Sequence, residues 1–352
     1  MSEIELRTFD GNMDELYHLI HDAWKHDYDE RSRTVFEYTR EYLSWCLNYP
    51  GSNPDLYVGA YLGGKLVGFG ASFPQTLQLG KQKMAAVLST FFTTDQAARR
   101  QGLGIKLIKE RIGRMIDSGA QLNYFYLEMG LSSTPVYDKL DEREDMDYHH
   151  LSKMNFFSKV LDYDRLNKVE YFMLWEKLAV RMTQHIGSAW KIDGEVRDYK
   201  PEDLENCFSL INTVDPKRLS KVWSLDELAW QLDNVFDVGT LLVEEGDEVK
   251  AFVNYYHIPV MGRTTERITI ADNIVFGKAS FKQKCEIVRR FTERVKQERS
   301  TGILFPCFPT MDRLPLIMNL ALPYPRNLFI KALDYTEQLP LKCVNIGNLQ
   351  FR

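Results

Sequence analysis

Arg99-Arg100-Gln101-Gly102-Leu103-Gly104 is the stretch of this 352-residue chain whose residue types and spacing could do chemistry. Glycines at the opening turn of a helix let backbone N–H groups approach a ligand closely, and the unpaired donors together with the helix dipole favour an anion there. A phosphate fits. The alternative is a glycine-rich turn carrying two surface arginines, and placement decides between them. The β-branched and aromatic run Val87 to Thr94 precedes the loop; Leu103, Leu107, Ile108 and Ile112 follow at helical spacing, with Lys106, Lys109, Glu110 and Arg114 on the other face. A loop launched off a strand into a helix favours the phosphate reading. It lacks the lysine and hydroxyl of G-x-x-x-x-G-K-[ST] and is not G-x-G-x-x-G, so a nucleoside triphosphate is not expected.

The elements around it read as two copies of one layout. Met13 to His26 is an amphipathic helix, and Arg40 to Leu47 a second that stops before Pro50-Gly51. Strands Tyr57 to Leu62 and Leu66 to Phe73 form a hairpin across Gly63-Gly64, closed by Pro74. Leu122 to Met129 is a further strand, SSTPVYDKL a short helix, and Phe156 to Leu161 the strand expected to close the first domain. Leu166 to His185 reads as one apolar helix packed between domains, with no cofactor needed to explain its Met and Trp content. From Glu195 the order recurs: a helix marked by Leu204, Cys207, Phe208 and Ile211, a capping box at Ser224-Leu225-Asp226-Glu227, and a hairpin across Gly246-Asp247 ended by Pro259. Strand Arg267 to Phe276, helix Lys284 to Arg299 and strand Gly302 to Phe308 complete it. The second copy has Gly277-Lys278-Ala279-Ser280-Phe281-Lys282 in place of the glycine pair; Lys278 and Lys282 read as a solvated basic loop rather than an anion site.

Composition sets the frame. The chain is too long for one ordinary core, and 44% hydrophobic with 26% charged residues is a soluble globular balance. With no apolar run of spanning length and no signal pattern in MSEIELRTFDGN, a cytoplasmic protein without a membrane span is expected. The net charge of -5 argues against a nucleic-acid partner. Cys46, Cys207, Cys285, Cys307 and Cys343 are far apart and read as reduced core thiols, and no H-E-x-x-H is present, so no metal is expected.

The R-x-x-G-x-G loop and the order of elements resemble the GNAT acyltransferase superfamily, whose loop amides hold the diphosphate of an acyl-CoA. Pro135-Val136-Tyr137-Asp138-Lys139-Leu140 resembles that family's helix with a tyrosine that protonates the leaving thiolate, although Asp141 stands where a glycine is usual. The stretch from Tyr38 to Leu47 with Pro50-Gly51, Lys65 to Phe69 with Pro74, Tyr255 to Pro259 and Asn273 to Phe276 are similar to segments of the N-myristoyltransferase family, a pair of fused GNAT folds. That family does not use glycines in its loop and ends in a longer apolar tail whose carboxylate is the base, whereas this chain ends Gly347-Asn348-Leu349-Gln350-Phe351-Arg352.

The resemblance implies an α/β (α+β) fold of two GNAT-like domains, each a twisted mixed, mainly antiparallel sheet flanked by helices. We expect an N-terminal domain over 1–165, a connecting segment over 166–194 and a degenerate domain over 195–352, with one acyl-CoA site in the first half. It implies direct transfer of an acyl group, acetyl from acetyl-CoA as the leading expectation, to a small-molecule or peptide amine. Long-chain transfer on the N-myristoyltransferase pattern is the alternative, and a non-catalytic acyl-CoA sensor the rival from another class. The implied ligand-binding residues are Phe91, Phe92 and Thr93, whose backbone N–H groups polarise the thioester, and Arg99, Arg100, Gln101, Gly102, Leu103, Gly104 and Ile105 around the diphosphate. Tyr137 is the expected acid. The central strand offers no acid at Leu88 to Phe92, so Glu128 is the expected base, with Asp95 through water and the Arg352 carboxylate behind it.

Overall fold

The computed structural model describes residues 3–29, 34–99, 101–130, 133–143, 148–170, 172–213, 215, 217–233, 236–336, 339, 341 and 344–350. Two sheets dominate. The first runs in the order Ile4–Thr8, Val58–Leu62, Lys65–Leu79, Gln82–Thr94, Leu122–Glu128, Leu328–Asp334, His149–Lys153. The second runs Leu322–Tyr324, Asn155–Val160, Gly302–Cys307, Thr265–Val275, Glu248–Met261, Val238–Glu245, Glu195–Asp198. Along these paths each is antiparallel apart from one parallel pair at its centre, Gln82–Thr94 with Leu122–Glu128 and Thr265–Val275 with Gly302–Cys307; off the path of the first, Arg218–Val222 also pairs in parallel with Asn345–Ile346. The repeated layout is therefore real at the level of sheets.

The halves are more entangled than their sequences imply. The strand expected to close the first domain, Asn155–Val160, pairs instead with Gly302–Cys307 in the second sheet. In exchange Leu328–Asp334 enters the first sheet beside Leu122–Glu128. Arg218–Val222 and Val35–Phe36 also pair across, with Lys65–Leu79 and Glu248–Met261. Each central parallel pair leaves one free edge, and in both sheets a strand from the other half covers it. One apolar core runs through both halves, from Leu16, Tyr42 and Phe69 to Tyr256, Ile258 and Ile270.

Two other expectations are corrected. Pro74 and Pro259 do not end their strands but lie inside Lys65–Leu79 and Glu248–Met261, paired with Val87 and Arg267. A proline withholds only its N–H; the Pro259 carbonyl still accepts from the Glu37 N–H at 2.9 Å. The Leu166 to His185 helix is two, Tyr163–Val169 and Leu174–Thr183, broken at an extended Glu170. They pack on the second sheet, where the buried Lys159 ammonium donates to the carbonyls of Thr183, His185 and Asn319 at 2.7–3.0 Å.

Candidate active site

The central strand Gln82–Thr94 pairs with Leu122–Glu128 only from Ala86↔Leu122 to Ser89↔Phe125. Beyond that point Leu122–Glu128 stays in register with Leu328–Asp334 as far as Glu128↔Leu328, so the two parallel strands part. The cause is a bulge. Phe69 faces Thr93 and Ala71 faces Thr90, which sets Gly70 alone opposite Phe91 and Phe92. Phe91 takes a φ of 54°, a conformation uncommon for a side chain of its size. Thr93 fixes the kink: its hydroxyl donates to the Phe91 carbonyl at 3.1 Å and accepts from the Trp24 indole at 2.8 Å.

A cavity of about 750 Å³ fills the fork. Phe91, Phe92 and Thr93 form one wall, and Tyr126, Leu127 and Glu128 the other. Its end is the start of helix Leu103–Asp117, and Gly102, Leu103, Gly104 and Ile105 all border it. Gly102 caps the helix at φ 77° with no side chain to bond the first amides, and the first intrahelical bond runs from Lys106 N–H to the Gly102 carbonyl. The amides of Leu103, Gly104 and Ile105 thus have no intrahelical acceptor. Space is available: a Cβ on Gly102 would meet nothing within 4 Å, and one on Gly104 would only touch Phe92 and Val136.

The described polar side chains of the loop are engaged within the protein. Arg99 borders the cavity, yet its guanidinium binds both Asp27 oxygens, the longer contact at 3.1 Å, and donates to the Thr94 carbonyl at 3.2 Å. It anchors the loop to helix Met13–Asp29 rather than pointing a free charge at a ligand. Gln101 is exposed, donates to the Ala97 carbonyl at 3.1 Å and does not line the cavity. Arg100 lies outside the described residues.

Tyr137 reaches the site from helix Thr134–Arg143. It is buried, stacked on Phe125 with ring centres 4.6 Å apart and set edge-on to Phe92. Burial raises its pKa, and the neighbouring Arg111 pulls it back down. Glu128 borders the cavity with its carboxylate 3.6 Å from Arg326. Asp95 does not border it; its carboxylate caps a short turn by accepting from the Ala97 N–H at 2.8 Å. Arg352 lies outside the described residues, but the chain before it ends deep inside, with Leu349 and Gln350 buried. The Gln350 carbonyl accepts from the Tyr126 hydroxyl at 2.8 Å, and its side-chain oxygen from Gln75 and Lys221.

Sequence reasoning missed Arg111. It is buried in the fork, on the helix face that carries Leu107 and Ile108, and it borders the cavity. The signal was available: an arginine four residues from Leu107 interrupts an otherwise apolar stripe.

A forked parallel pair, a bulge at the fork and an uncapped helix start give the chain the architecture of the GNAT-like superfamily. The chain carries the tandem form of that architecture, resembling the N-myristoyltransferase family. Residues 2–132 match the family described as myristoyl-CoA:protein N-myristoyltransferase, N-terminal domain. A glycylpeptide N-tetradecanoyltransferase of Candida glabrata is 22% identical over 92% of this chain and 71% of its own length; one from Drosophila melanogaster is 32% identical over 71% of this chain and 50% of its own. The crystal structure of Saccharomyces cerevisiae N-myristoyltransferase with bound myristoyl-CoA superposes with a TM-score of 0.79, covering 100% of this chain and 90% of that one at 17% identity. These similarities back the long-chain alternative and lend no support to acetyl-CoA as the donor. Among the described residues, no helix is long and apolar enough to cross a membrane, and no group of three or more His, Cys, Asp or Glu residues could hold a metal ion.

Proposed function

We propose that this chain transfers a long-chain acyl group, of the tetradecanoyl class, from coenzyme A to the amino nitrogen of a peptide beginning with glycine. One observation carries the reading: the fork cavity ends on three amides that their own helix leaves unpaired. A diphosphate seated there is held by main-chain N–H groups and the helix dipole. The pantetheine then runs along Thr90 to Thr94 in place of the missing strand partner, which brings the thioester to the bulge. A carbonyl oxygen that turns anionic in the transition state is met by backbone N–H groups around Phe91 to Thr93. Trp24, Phe36 and Tyr38 supply an apolar wall for a hydrocarbon chain.

Tyr137 borders the cavity and is the acid we assign to the departing sulfur; of the expected bases among the described residues, Glu128 borders the cavity and Asp95 does not, so Glu128 is the base we assign. The long chain is favoured by the relatives' names rather than by any feature of the loop, whose glycines follow the ordinary acetyltransferase form. Mass spectrometry of the coenzyme A ester that co-purifies with the protein tests the donor. A thiol-release assay with myristoyl-CoA and an octapeptide beginning with glycine tests the transfer. Thiol release that depends on the peptide supports the enzyme; tight myristoyl-CoA binding without release would leave a sensor, and preference for acetyl-CoA in both assays would overturn the chain-length assignment.

A further inference from the structure

Arg326 stands where the two sheets meet at the cavity. It lies two residues before Leu328, the register partner of Glu128, and its guanidinium is 3.6 Å from the Glu128 carboxylate of the first sheet. The two rings beneath that guanidinium belong to edge strands of the second sheet: Phe36, paired with Val260, at 5.5 Å, and Tyr324, paired with Phe156, at 5.6 Å. The ion pair is longer than a hydrogen bond, while both rings lie within the reach of about 6 Å at which a ring face attracts a cation. The guanidinium is thus supported from the second sheet and keeps its place when Glu128 changes partner. Both charged side chains are mostly buried, 17% exposed for Arg326 and 10% for Glu128, and both residues border the cavity. Arg99 differs, since its guanidinium is bonded to both oxygens of Asp27.

We propose that the acceptor peptide carries a carboxylate side chain at its second or third residue and that Arg326 is the residue that recognises it. This rests on the acyl-transfer reading, in which the acceptor nitrogen is seated at Glu128. Below about pH 8 a peptide amine arrives largely as an ammonium. To bind Glu128 it takes that carboxylate over from Arg326. Withdrawing a carboxylate from a mostly buried guanidinium is costly, and a carboxylate that enters with the acceptor makes the loss good. One ion pair inside the protein becomes two across the interface. An extended chain advances about 3.3–3.6 Å per residue, which matches the 3.6 Å between the Glu128 and Arg326 groups, so a side chain one or two residues behind the amine is in reach. The planar guanidinium can take such a carboxylate through two parallel N–H···O bonds. A lysine at the same position meets like charge and is rejected.

The test is thiol release from myristoyl-CoA with octapeptides that begin with glycine and differ only in carrying Asp, Asn or Lys at residue two, three or seven. In the parent protein kcat/KM for Asp exceeds that for Asn about tenfold at residue two or three, Lys falls below Asn there, and the three are alike at residue seven. Arg326→Met brings the ratio of Asp to Asn to about one, and Arg326→Glu turns the preference toward Lys. A merely structural arginine would lower all the rates together and leave the ratios alone. Equal rates for Asp and Asn at both near positions in the parent, or an unchanged ratio in the folded Arg326→Met variant, overturns the proposal. Should Arg326→Met not fold, Arg326→Lys carries the test, since it keeps the charge but not the planar fork and lowers the ratio to about threefold. Should the parent release no thiol with any peptide, the acyl-transfer reading falls. Calorimetric titration of the same peptides into protein loaded with myristoyl-CoA then decides the proposal: tighter binding of the Asp peptide that is lost in the Arg326 variants upholds it, and binding without that preference, or no binding, overturns it.

Discussion

Helices Leu103–Asp117 and Phe281–Gln297 start at the same place in the same kind of fork, and they finish their first turns in opposite ways. In the second half Ser280 accepts from the Gln283 N–H at 3.3 Å while the Gln283 side chain accepts from the Ser280 N–H at 2.8 Å, closing a capping box. The loop before it is packed: Phe276 and Ala279 lie in the core, a Cβ on Gly277 would sit 2.3 Å from Leu210, and Lys278 is paired with Glu248 at 2.8 Å. In the first half no side chain caps the helix, and the loop borders an open cavity. One helix start is satisfied by its own chain; the other is left for a ligand. The forks differ likewise: Thr265–Val275 and Gly302–Cys307 pair over two residues where the first-half strands pair over four, yet no residue of either borders the cavity. Duplication alone does not make a site; leaving donors unpaired beside an open space does.

The comparison breaks most sharply at Gly104. Gly104→Leu fills the space beside Phe92 and Val136, and isothermal titration with myristoyl-CoA should show binding weakened by at least about a hundredfold, roughly 2.7 kcal/mol or more. Lys282→Leu at the second helix start should leave the affinity as it was, and equal losses at the two positions would end the asymmetry. Next in size, Tyr137→Phe should reduce kcat by about a hundredfold with little change in acyl-CoA affinity, checked by single-turnover thiol release. Ser280→Ala removes a cap rather than a ligand site, so denaturant unfolding should register a loss of about 1 kcal/mol while acyl-CoA binding is untouched. The smallest effect is expected at Arg99. Because its guanidinium is engaged by Asp27, Arg99→Gln should cost about 1 kcal/mol of stability or less, with affinity held within about threefold. A large affinity loss there would return Arg99 to the diphosphate.

The sequence by itself determined what short-range chemistry can encode. The two hairpins at Gly63-Gly64 and Gly246-Asp247, the Ser224 capping box and the strand-loop-helix around Gly102 and Gly104 were readable because turns, caps and period depend on neighbouring residues. The absence of the glycine pair in the second copy was readable for the same reason.

Tertiary structure decided the rest. Nothing local to Asn155–Val160 or Leu328–Asp334 says which sheet will take them, since a strand edge accepts any partner of fitting register and burial. The bulge at Phe91 exists only because Gly70 faces it from another strand, and Arg99 takes its ion-pair partner from an aspartate on a helix far earlier in the chain. Arg111, an interruption in a helix stripe when read along the sequence, finds its partners only where Gly70, Ala71 and Ser72 converge on it.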